Sequence, residues 1–443
     1  MKQDATTTGN GFKSKHEQTL ETVNKIFINS KALGVTHLVT EDEEFDGQHI
    51  EVNGRKLLNF GSCSYLGLEL DQRLKDGGKE AIDRYGTQFS SSRAYVSIGL
   101  YREVEEMLEA MFGQPVILAP TVTLGHLANI PVLVGDRDAV IVDTQAHASV
   151  QQAIDMLKLR KVHVEIIRHN RMDVLEEKIN ELSPLHEKIW FMADGVYSMY
   201  GDLLPVEKLI TLMNKHEQLH AYIDDAHGMS WTGPNGTGYV MSRLSGSFHK
   251  KLFLVCGLAK SFGTAGGVLV FPNRDIHQLV RNCGRTLIFS GPIQPAVLGA
   301  SAASARIHLS DEVYDLQNAL KKKINFFRRR AADLDLPLIE PCNTPIKFIG
   351  MGKPETGYLM VRTLIKLGFY ANISVFPSVP FKNTGLRITL TNHLNENNID
   401  ELLRTIARQL PDVLSESDSN MENIYKAFKL KTPVKEDLEM VAA

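Results

Sequence analysis

A lysine and a short acidic segment carry the clearest chemical signal in this sequence. Lys260 lies between the apolar run 252–255 and a turn rich in glycine and small residues, and a second apolar run, 267–271, follows. A lysine placed there is partly desolvated, which favours the neutral amine and therefore nucleophilic, Schiff-base chemistry. Upstream, residues 224–228 (Asp-Asp-Ala-His-Gly) end another apolar run. An amine, a carboxylate that keeps a pyridine nitrogen protonated and a nearby imidazole are the groups that pyridoxal phosphate (PLP) requires.

Composition and charge bound the class of protein. A chain of 443 residues can bury a large core and is expected to form more than one domain. Its 43% hydrophobic and 23% charged residues are usual for a globular protein. The formal net charge of −3, from 49 basic and 52 acidic residues, argues against binding to nucleic acid or to an anionic membrane as the main purpose.

The cysteines and the apolar runs bear on the compartment. The four cysteines (63, 256, 283 and 342) are far apart and form no Cys-x-x-Cys pair, so neither a disulfide framework nor a metal site is predicted. No apolar run approaches the roughly 18 residues of a membrane span. The first residues also lack the apolar core of a secretory signal. We therefore expect a cytoplasmic α/β protein.

Seven short apolar runs alternate with helical segments through the middle of the chain. Strands spaced in this way, with helices between them, imply a mostly parallel sheet covered on both faces. Ligands bind such sheets at the carboxyl ends of the strands, which is where Asp224 and Lys260 fall. Residues 101–111 have the spacing of an amphipathic helix. The predicted strands are 116–118, 139–142, 162–167, 189–192, 221–223, 252–255 and 268–271.

The two ends of the chain predict further elements. Residues 13–33 suit an amphipathic helix, and Asn53-Gly54 suits a hairpin turn between short strands. Residues 320–334 form a basic helical segment, and 386–391 alternate as a strand does. The predicted division is an N-terminal segment at 1–68, a large domain at 69–305, a C-terminal small domain at 306–412 and a polar tail or surface helix at 413–443.

Several ordered motifs resemble those of the α-oxoamine synthase family, which belongs to the fold-type-I PLP enzymes. The resemblance implies a large domain with a mostly parallel seven-stranded sheet and a smaller α+β domain made from the N- and C-terminal segments. The motifs are Asn59-Phe60 with Tyr65-Leu66-Gly67-Leu68, residues 143–149, residues 195–202, residues 224–228, Lys260-Ser261-Phe262-Gly263, and residues 386–391.

The reaction that this resemblance implies is a PLP-dependent acyl transfer. An amino acid is condensed with an acyl thioester to an α-amino ketone, with loss of carbon dioxide. An aminotransferase or another PLP enzyme of the same fold is the alternative, because cofactor-binding residues do not by themselves select the reaction. A silent subunit that supports an active partner is a third interpretation, against which the intact Lys260 argues. The motifs leave open the amino acid, the acyl length, the pathway and whether the carrier is CoA or an acyl carrier protein.

The resemblance also assigns residues to the cofactor ring. Lys260 holds PLP covalently and then acts as the base at the α-carbon. Asp224 lies under the pyridinium nitrogen; Asp225 competes for this role, but adjacent residues of a strand point in opposite directions and the family pattern favours Asp224. His147 stacks on the ring face. The other two implied ring contacts are His227 and Ser198.

The phosphate is expected at a helix start, where backbone N–H groups are free. The segment Thr121-Val122-Thr123 fits, although the family usually has a glycine followed by an aromatic residue there. A second departure is Gly257, where relatives often carry a threonine. Ser290-Gly291 resembles a segment that reaches the phosphate from a neighbouring subunit, which implies a homodimer with shared active sites.

The residues implied for the substrate are less uniform. Arg387 matches an arginine that binds the substrate carboxylate, for which a planar, permanently charged fork is suited. Ser64 and Tyr65 follow Cys63 where the family has an asparagine before Tyr-Leu-Gly. Arg93 fits a structural ion pair and a contact to an anionic substrate group equally well. Asp194 stands where the family usually has glutamate.

Overall fold

The computed structural model describes residues 13–430 of the chain. The N-terminal part holds the predicted helix and hairpin, followed by a helix that leads into the large domain. In chain order these elements are α1 (Lys15–Ala32), β1 (His49–Val52), β2 (Arg55–Asn59) and α2 (Gln72–Tyr85).

The large domain is an α/β unit around a seven-stranded sheet in the order β3-β9-β8-β7-β6-β4-β5. All seven predicted strands are present, which confirms the prediction of a mostly parallel sheet. The elements are α3 (Gly99–Phe112), β3 (Val116–Ala119), α4 (Val122–Leu133), β4 (Ala139–Asp143), α5 (Ala148–Leu159), β5 (His163–Ile167), α6 (Met172–Leu182), β6 (Ile189–Asp194), α7 (Val206–Lys215), β7 (Leu219–Asp224), α8 (Tyr239–Ser242), β8 (Leu252–Gly257), β9 (Gly267–Val270), α9 (Arg274–Cys283), α10 (Arg285–Ile288) and α11 (Pro295–His308).

Both faces of this sheet are covered because its strands are apolar on both sides. In β4, Ala139 and Ile141 pack into the cluster beneath α3, α6 and α7, and Val140 and Val142 pack into the cluster beneath α4 and α5. β9 runs antiparallel to both of its neighbours, β3 and β8. A short connection between β8 and β9 is therefore sufficient, and it is this connection that carries Lys260.

The small domain combines a four-stranded antiparallel sheet with strands from the N-terminal part. β2 pairs with the C-terminal strand β12 in parallel, so the two ends of the chain meet in one sheet. The elements are α12 (Glu312–Asp333), β10 (Leu338–Ile339), β11 (Ile346–Gly352), α13 (Pro354–Lys366), β12 (Phe369–Tyr370), β13 (Asn372–Ser374), β14 (Thr384–Thr389), α14 (Glu396–Glu416) and α15 (Met421–Phe428).

The C-terminal segment departs from the expected boundary at residue 412, which falls inside α14. Val413 and Leu414 are buried, and α15 buries Ile424 against the small domain. The few apolar residues of this segment lie at helical spacing among many polar ones, so the composition alone hides the packed face. The rest of the predicted tail, 431–443, lies outside the described residues. Within residues 13–430, no helix combines the length and apolar character needed to cross a membrane.

Candidate active site

Five strand ends meet at one edge of the large sheet and bring the polar residues of the site together. Asp194 ends β6, Asp224 ends β7, and Lys260 follows β8. His147 follows β4 and Thr121 follows β3. These side chains surround a cavity of about 270 Å³. The cavity is lined by seven of the residues predicted from the sequence: Thr121, Val122, Thr123, His147, Asp224, His227 and Lys260.

Lys260 is held by the tight connection between β8 and β9. Leu258 N–H donates to Gly266 O at 3.0 Å, and Gly263 N–H donates to Lys260 O at 3.0 Å. Gly263 has φ +81°, in the left-handed region that favours glycine. Burial lowers the pKa of Lys260, and the opposing charge of Asp224 does not cancel this effect. This shift moves the amine towards its neutral, nucleophilic form.

Asp224 is the buried anion of the cavity. Its Oδ1 accepts from Ala226 N–H at 3.0 Å, and its Oδ2 lies 2.9 Å from His126 Nε2. Burial alone would raise its pKa, but the charge and hydrogen bond of His126 outweigh burial and lower it to about 2. Asp225 lies on the other side of the strand, where its Oδ2 accepts from Val240 N–H at 2.9 Å. Of the two adjacent aspartates, only Asp224 lines the cavity.

A second carboxyl, Asp194, lies beside Asp224 on the neighbouring strand β6. Burial and the negative charge of Asp224 raise the pKa of Asp194 well above its usual value. Its Oδ1 accepts from His147 N–H at 3.0 Å. The pKa values of the two carboxyls are thus shifted in opposite directions, because two buried like charges side by side are unfavourable.

Two neutral imidazoles complete the cavity wall. His147 caps α5 through a hydrogen bond from Ser149 N–H to its Nδ1, at 3.3 Å. His227 Nδ1 lies 2.8 Å from the hydroxyl of the fully buried Tyr65. Burial lowers the pKa of both His147 and His227, so that both rings are uncharged near neutral pH.

The segment predicted to bind the phosphate, Thr121-Val122-Thr123, forms the start of helix α4. Thr121 Oγ1 accepts from Leu124 N–H at 3.0 Å and caps α4, so Val122 and Thr123 lie in the first turn, where N–H groups have no partner within the helix. A Cβ atom on Gly267 would lie 2.9 Å from Val122 N, so only glycine lets β9 approach this turn so closely. A helix start, a buried carboxylate and an amine around one cavity fit the phosphate, the ring nitrogen and the aldehyde of PLP.

Arg387, on strand β14 of the small domain, lies next to the cavity. The Arg387 side chain is only 7% exposed; its Nε donates to Ser198 O at 2.6 Å, and its Nη2 lies 3.6 Å from Cys63 Sγ. Ser198 itself is not among the residues lining the cavity. Its carbonyl oxygen instead accepts the hydrogen bond from Arg387 Nε. Ser64 Oγ lies 2.6 Å from Ser62 Oγ.

Three further predicted residues lie away from the cavity of their own chain. Arg93 forms a two-pronged ion pair with Glu105, at 2.9 and 3.0 Å, and its guanidinium lies over the ring of Tyr101. Of its two interpretations, the structural ion pair is the one observed. Ser290 Oγ donates to Thr286 O at 2.5 Å, and Gly291 is exposed.

His126 is the site residue that the sequence analysis missed. The structure places it one turn into α4, facing Asp224. The signal that could have found it is its position five residues after the cap Thr121, on a helix whose other buried residues, apart from Asn129, are small or apolar.

Comparison with known proteins agrees with this geometry. Residues 55–406 match the family model of class I and II aminotransferases. The 8-amino-7-oxononanoate synthase of Coprothermobacter proteolyticus is 30% identical over 359 residues, which cover 80% of this chain and 88% of that protein. The serine palmitoyltransferase of Bacteriovorax stolpii is 28% identical over 367 residues, covering 82% of this chain and 85% of that protein.

A solved structure shows the same fold. The serine palmitoyltransferase of S. paucimobilis with bound PLP and myriocin superposes with a TM-score of 0.80 at 24% identity, covering 89% of this chain and 98% of that one. The fold is that of the fold-type-I PLP transferases, and the chain is a PLP-dependent acyltransferase that condenses an amino acid with an acyl thioester. The chain belongs to the α-oxoamine synthase family.

Proposed function

We propose that the cavity beside Lys260 is the place where PLP, an α-amino acid and an acyl thioester react. The observation that carries this proposal is that Lys260 and the buried carboxylate of Asp224 line one cavity at the same strand edge. One group supplies the nucleophilic amine, and the other balances a positive charge on a pyridine nitrogen. When bound, PLP supplies an electron sink that stabilises negative charge at the α-carbon of the amino acid.

Each part of the cavity wall has a proposed task in holding the cofactor. The first turn of α4, at Val122 and Thr123, offers backbone N–H groups to the phosphate. Asp224 would accept a hydrogen bond from the ring nitrogen, and His147 would pack on the ring face. His227, whose Nδ1 lies beside the Tyr65 hydroxyl, would contact the phenolic oxygen.

Lys260 then acts a second time, as a base. With the amino acid bound to PLP, the Lys260 amine would accept the proton from the α-carbon. The α-carbon would bond to the thioester carbonyl carbon, and the C–S bond would break with its electron pair on sulfur, so that a thiolate leaves and takes up a proton from solvent. His147 and His227 would polarise that carbonyl. Loss of carbon dioxide, as expected for the family, would leave the electron pair of the broken C–C bond at the α-carbon, and the protonated Lys260 would return its proton there to give the α-amino ketone.

Arg387 is proposed to bind the carboxylate of the amino acid. Its guanidinium is buried and faces the thiol of Cys63, and its Nε is fixed by Ser198 O. A planar guanidinium fixed at one nitrogen still offers its remaining N–H groups to a carboxylate. Arg387 also distinguishes the amino acid from an amine that lacks a carboxylate.

A homodimer with shared sites is part of the proposal. The segment Ser290-Gly291 lies away from its own cavity, next to a surface where Tyr95 is 87% and Phe289 is 84% exposed. Ser92 Oγ donates to Ile288 O at 2.6 Å and holds these two aromatic residues in one region. Large exposed aromatic side chains close together are typical of an interface. A second copy that covers them would bring Ser290 of one chain to the phosphate of the other.

The compartment and the acyl carrier are also proposals. All four cysteines are unpaired thiols, which supports a reducing cytoplasm. CoA and an acyl carrier protein present the same thioester, so the carrier is to be decided by experiment. The relative named serine palmitoyltransferase makes serine with a palmitoyl thioester the first pair to test.

The experiment is thiol release from a panel of acyl-CoAs of rising chain length, each with a mixture of amino acids, repeated with acyl carrier protein thioesters. We expect release that requires both an amino acid and Lys260. The Lys260→Ala variant should lose at least a thousandfold in rate. The matched control is Lys251→Met, which removes another buried lysine that donates only to backbone carbonyls of residues 213, 216 and 217.

The outcomes separate the two candidate reactions. If the PLP-loaded protein converts an amino acid into the corresponding keto acid and releases no thiol from any thioester, it is an aminotransferase. If Lys260→Ala releases thiol at the wild-type rate, the proposed site is wrong.

A further inference from the structure

His126 forms the middle of a buried chain of three polar side chains. Its Nδ1 lies 2.8 Å from the hydroxyl of Tyr222, and its Nε2 lies 2.9 Å from Asp224 Oδ2. His126 and Tyr222 are 0% exposed. Tyr222 and Asp224 belong to the same strand, β7, two residues apart and on the same face, so one imidazole on α4 can bridge them.

Chemistry fixes the direction of the hydrogen bond to Asp224. An ionised carboxylate only accepts hydrogen bonds, so Nε2 of His126 carries the proton whether the ring is neutral or charged. Burial raises the pKa of Tyr222 well above its usual value, so its hydroxyl keeps its proton. In the neutral ring, Nδ1 then accepts a hydrogen bond from that hydroxyl. Tyr222 thus donates to His126, and His126 donates to Asp224.

Charged and titratable groups face Asp224 from several other elements: Asp194 on β6, His147 at the start of α5, Lys260 after β8 and His126 on α4. Asp194 and Asp224 disfavour each other's negative charge, whereas Lys260 and His126 favour that of Asp224. Lys260 is the group that changes partners during the proposed reaction, and Asp194 accepts a hydrogen bond from His147 N–H. His126 is therefore the constant donor to the Asp224 carboxylate, together with Ala226 N–H on the other oxygen.

We propose that His126 is a positioning residue for cofactor binding: held between Tyr222 and Asp224, it fixes the Asp224 carboxylate as the anionic acceptor for the pyridine nitrogen of PLP. This inference rests on the proposed role of Asp224. His126 touches neither the cofactor nor the substrate and acts through Asp224 alone. A hydrogen bond to a charged group in a buried site is strong, and its loss leaves the carboxylate free to rotate or to bind a proton.

The test measures PLP binding and not turnover. Apoprotein is titrated with PLP to obtain the Kd, and the absorbance of enzyme-bound PLP is followed against pH. His126→Phe keeps a flat ring but removes both ring nitrogens, and we expect its Kd for PLP to rise at least tenfold. His126→Gln retains an N–H that can reach the carboxylate, and we expect its Kd to lie within about threefold of wild type.

Two further variants identify which idea fails. His308→Phe removes another fully buried histidine, which stacks on Phe262 and bonds to Ser304, and it should bind PLP as wild type does. Asp224→Asn should weaken PLP at least as much as His126→Phe, and the double variant should be no weaker than Asp224→Asn alone.

The overturning results are distinct. If Asp224→Asn weakens PLP while His126→Phe binds it with the wild-type Kd and pH profile, the role of His126 is wrong and that of Asp224 stands. A Gln variant as weak as the Phe variant would also overturn the argument from the donated hydrogen bond. If Asp224→Asn binds PLP normally, the proposed role of Asp224 falls first.

Discussion

Arg387 is a buried charge without a carboxylate partner among residues 13–430. Its Nε bonds to Ser198 O, and the rest of its guanidinium faces the thiol of Cys63. A buried charge without a counter-charge costs several kcal/mol, so such a residue weakens the fold unless a ligand supplies the anion. The side chain is therefore best explained by the carboxylate that it is proposed to bind.

The prediction at Arg387 concerns a conservative change. Arg387→Lys keeps the positive charge but loses the planar fork, so it cannot bind Ser198 O and a carboxylate together. We expect the KM for the amino acid to rise tenfold to a hundredfold, with the KM for the thioester within about threefold of wild type, measured by steady-state thiol release. Arg330→Lys, at the half-buried ion pair with Asp400, is the control and should change neither constant. An unchanged KM for the amino acid would contradict the role of Arg387.

Site residues could be predicted from the sequence where PLP chemistry requires a particular residue type. Lys260, Asp224, His147 and His227 follow strands in the sequence, and the structure brings all four to one cavity. The bridging role of His126 could not be predicted, because it depends on a contact between His126 on α4 and Asp224 on β7. These two residues are 98 positions apart in the chain. For the same reason the sequence left Arg93 undecided until Glu105 was seen beside it.

Among the elements, the loop after β6 is tied to its neighbours by one histidine. His169 Nδ1 lies 3.0 Å from Asp143 at the end of β4, and its Nε2 lies 2.5 Å from Asp202. The loop between β6 and Asp202 also holds Ser198, whose carbonyl fixes Arg387. Burial alone would lower the pKa of His169, but the hydrogen bonds to both aspartates outweigh it and raise the pKa to about 9.

The stability of the protein should therefore depend on His169 in a defined pH window. Its folded pKa of about 9 exceeds the ordinary 6.5, so its contribution is full below pH 6.5 and is lost as the pH rises through 9. The difference of 2.5 pKa units (9 − 6.5) corresponds to at most about 3 kcal/mol.

The measurement is urea unfolding of wild type and His169→Gln at several pH values. We expect the free-energy difference between the two proteins to be largest at pH 6 and to shrink steadily towards pH 9.5. His186→Gln is the control variant, because the ring of His186 bonds to the carbonyl of Arg137 and not to a carboxylate. A difference that stays constant across this range would mean that the charge of His169 contributes nothing.

The elements themselves were largely predictable. The seven strands have enough apolar residues on both faces to stand out, and 101–111 and 320–334 have helical spacing in the sequence. The antiparallel direction of β9 was not predictable from its own residues, because direction depends on the length of the connection and on the partner strand. The helix α15 was hidden because one buried residue, Ile424, anchors it.

At the scale of the whole molecule, the exposed Phe289 and Tyr95 lie in the proposed dimer interface. We therefore expect a single substitution there to dissociate the dimer. Phe289→Lys places a charge in the proposed interface, and we expect a monomer by light scattering at micromolar concentration. Because Ser290 of the partner is proposed to reach the phosphate, that monomer should also bind PLP at least tenfold more weakly. Leu185→Lys changes a different exposed apolar residue, a leucine that is 75% exposed, and should leave the mass and the PLP affinity unchanged. A Phe289→Lys dimer with wild-type affinity would contradict the interface.

The parallel pairing of β2 with β12 has a consequence for synthesis on the ribosome. Leu58 pairs with Phe369, so the hairpin is made 311 residues before its second partner strand (369 − 58). At roughly 5 to 20 residues per second, that delay is about 15 to 60 s. The large domain is continuous in the chain and is complete before β12 emerges. Until then, one edge of β2 has no partner strand. The strand β2 is thus translated early but is among the last to gain its second partner, and the demand for chaperones should fall on the hairpin and not on the catalytic sheet.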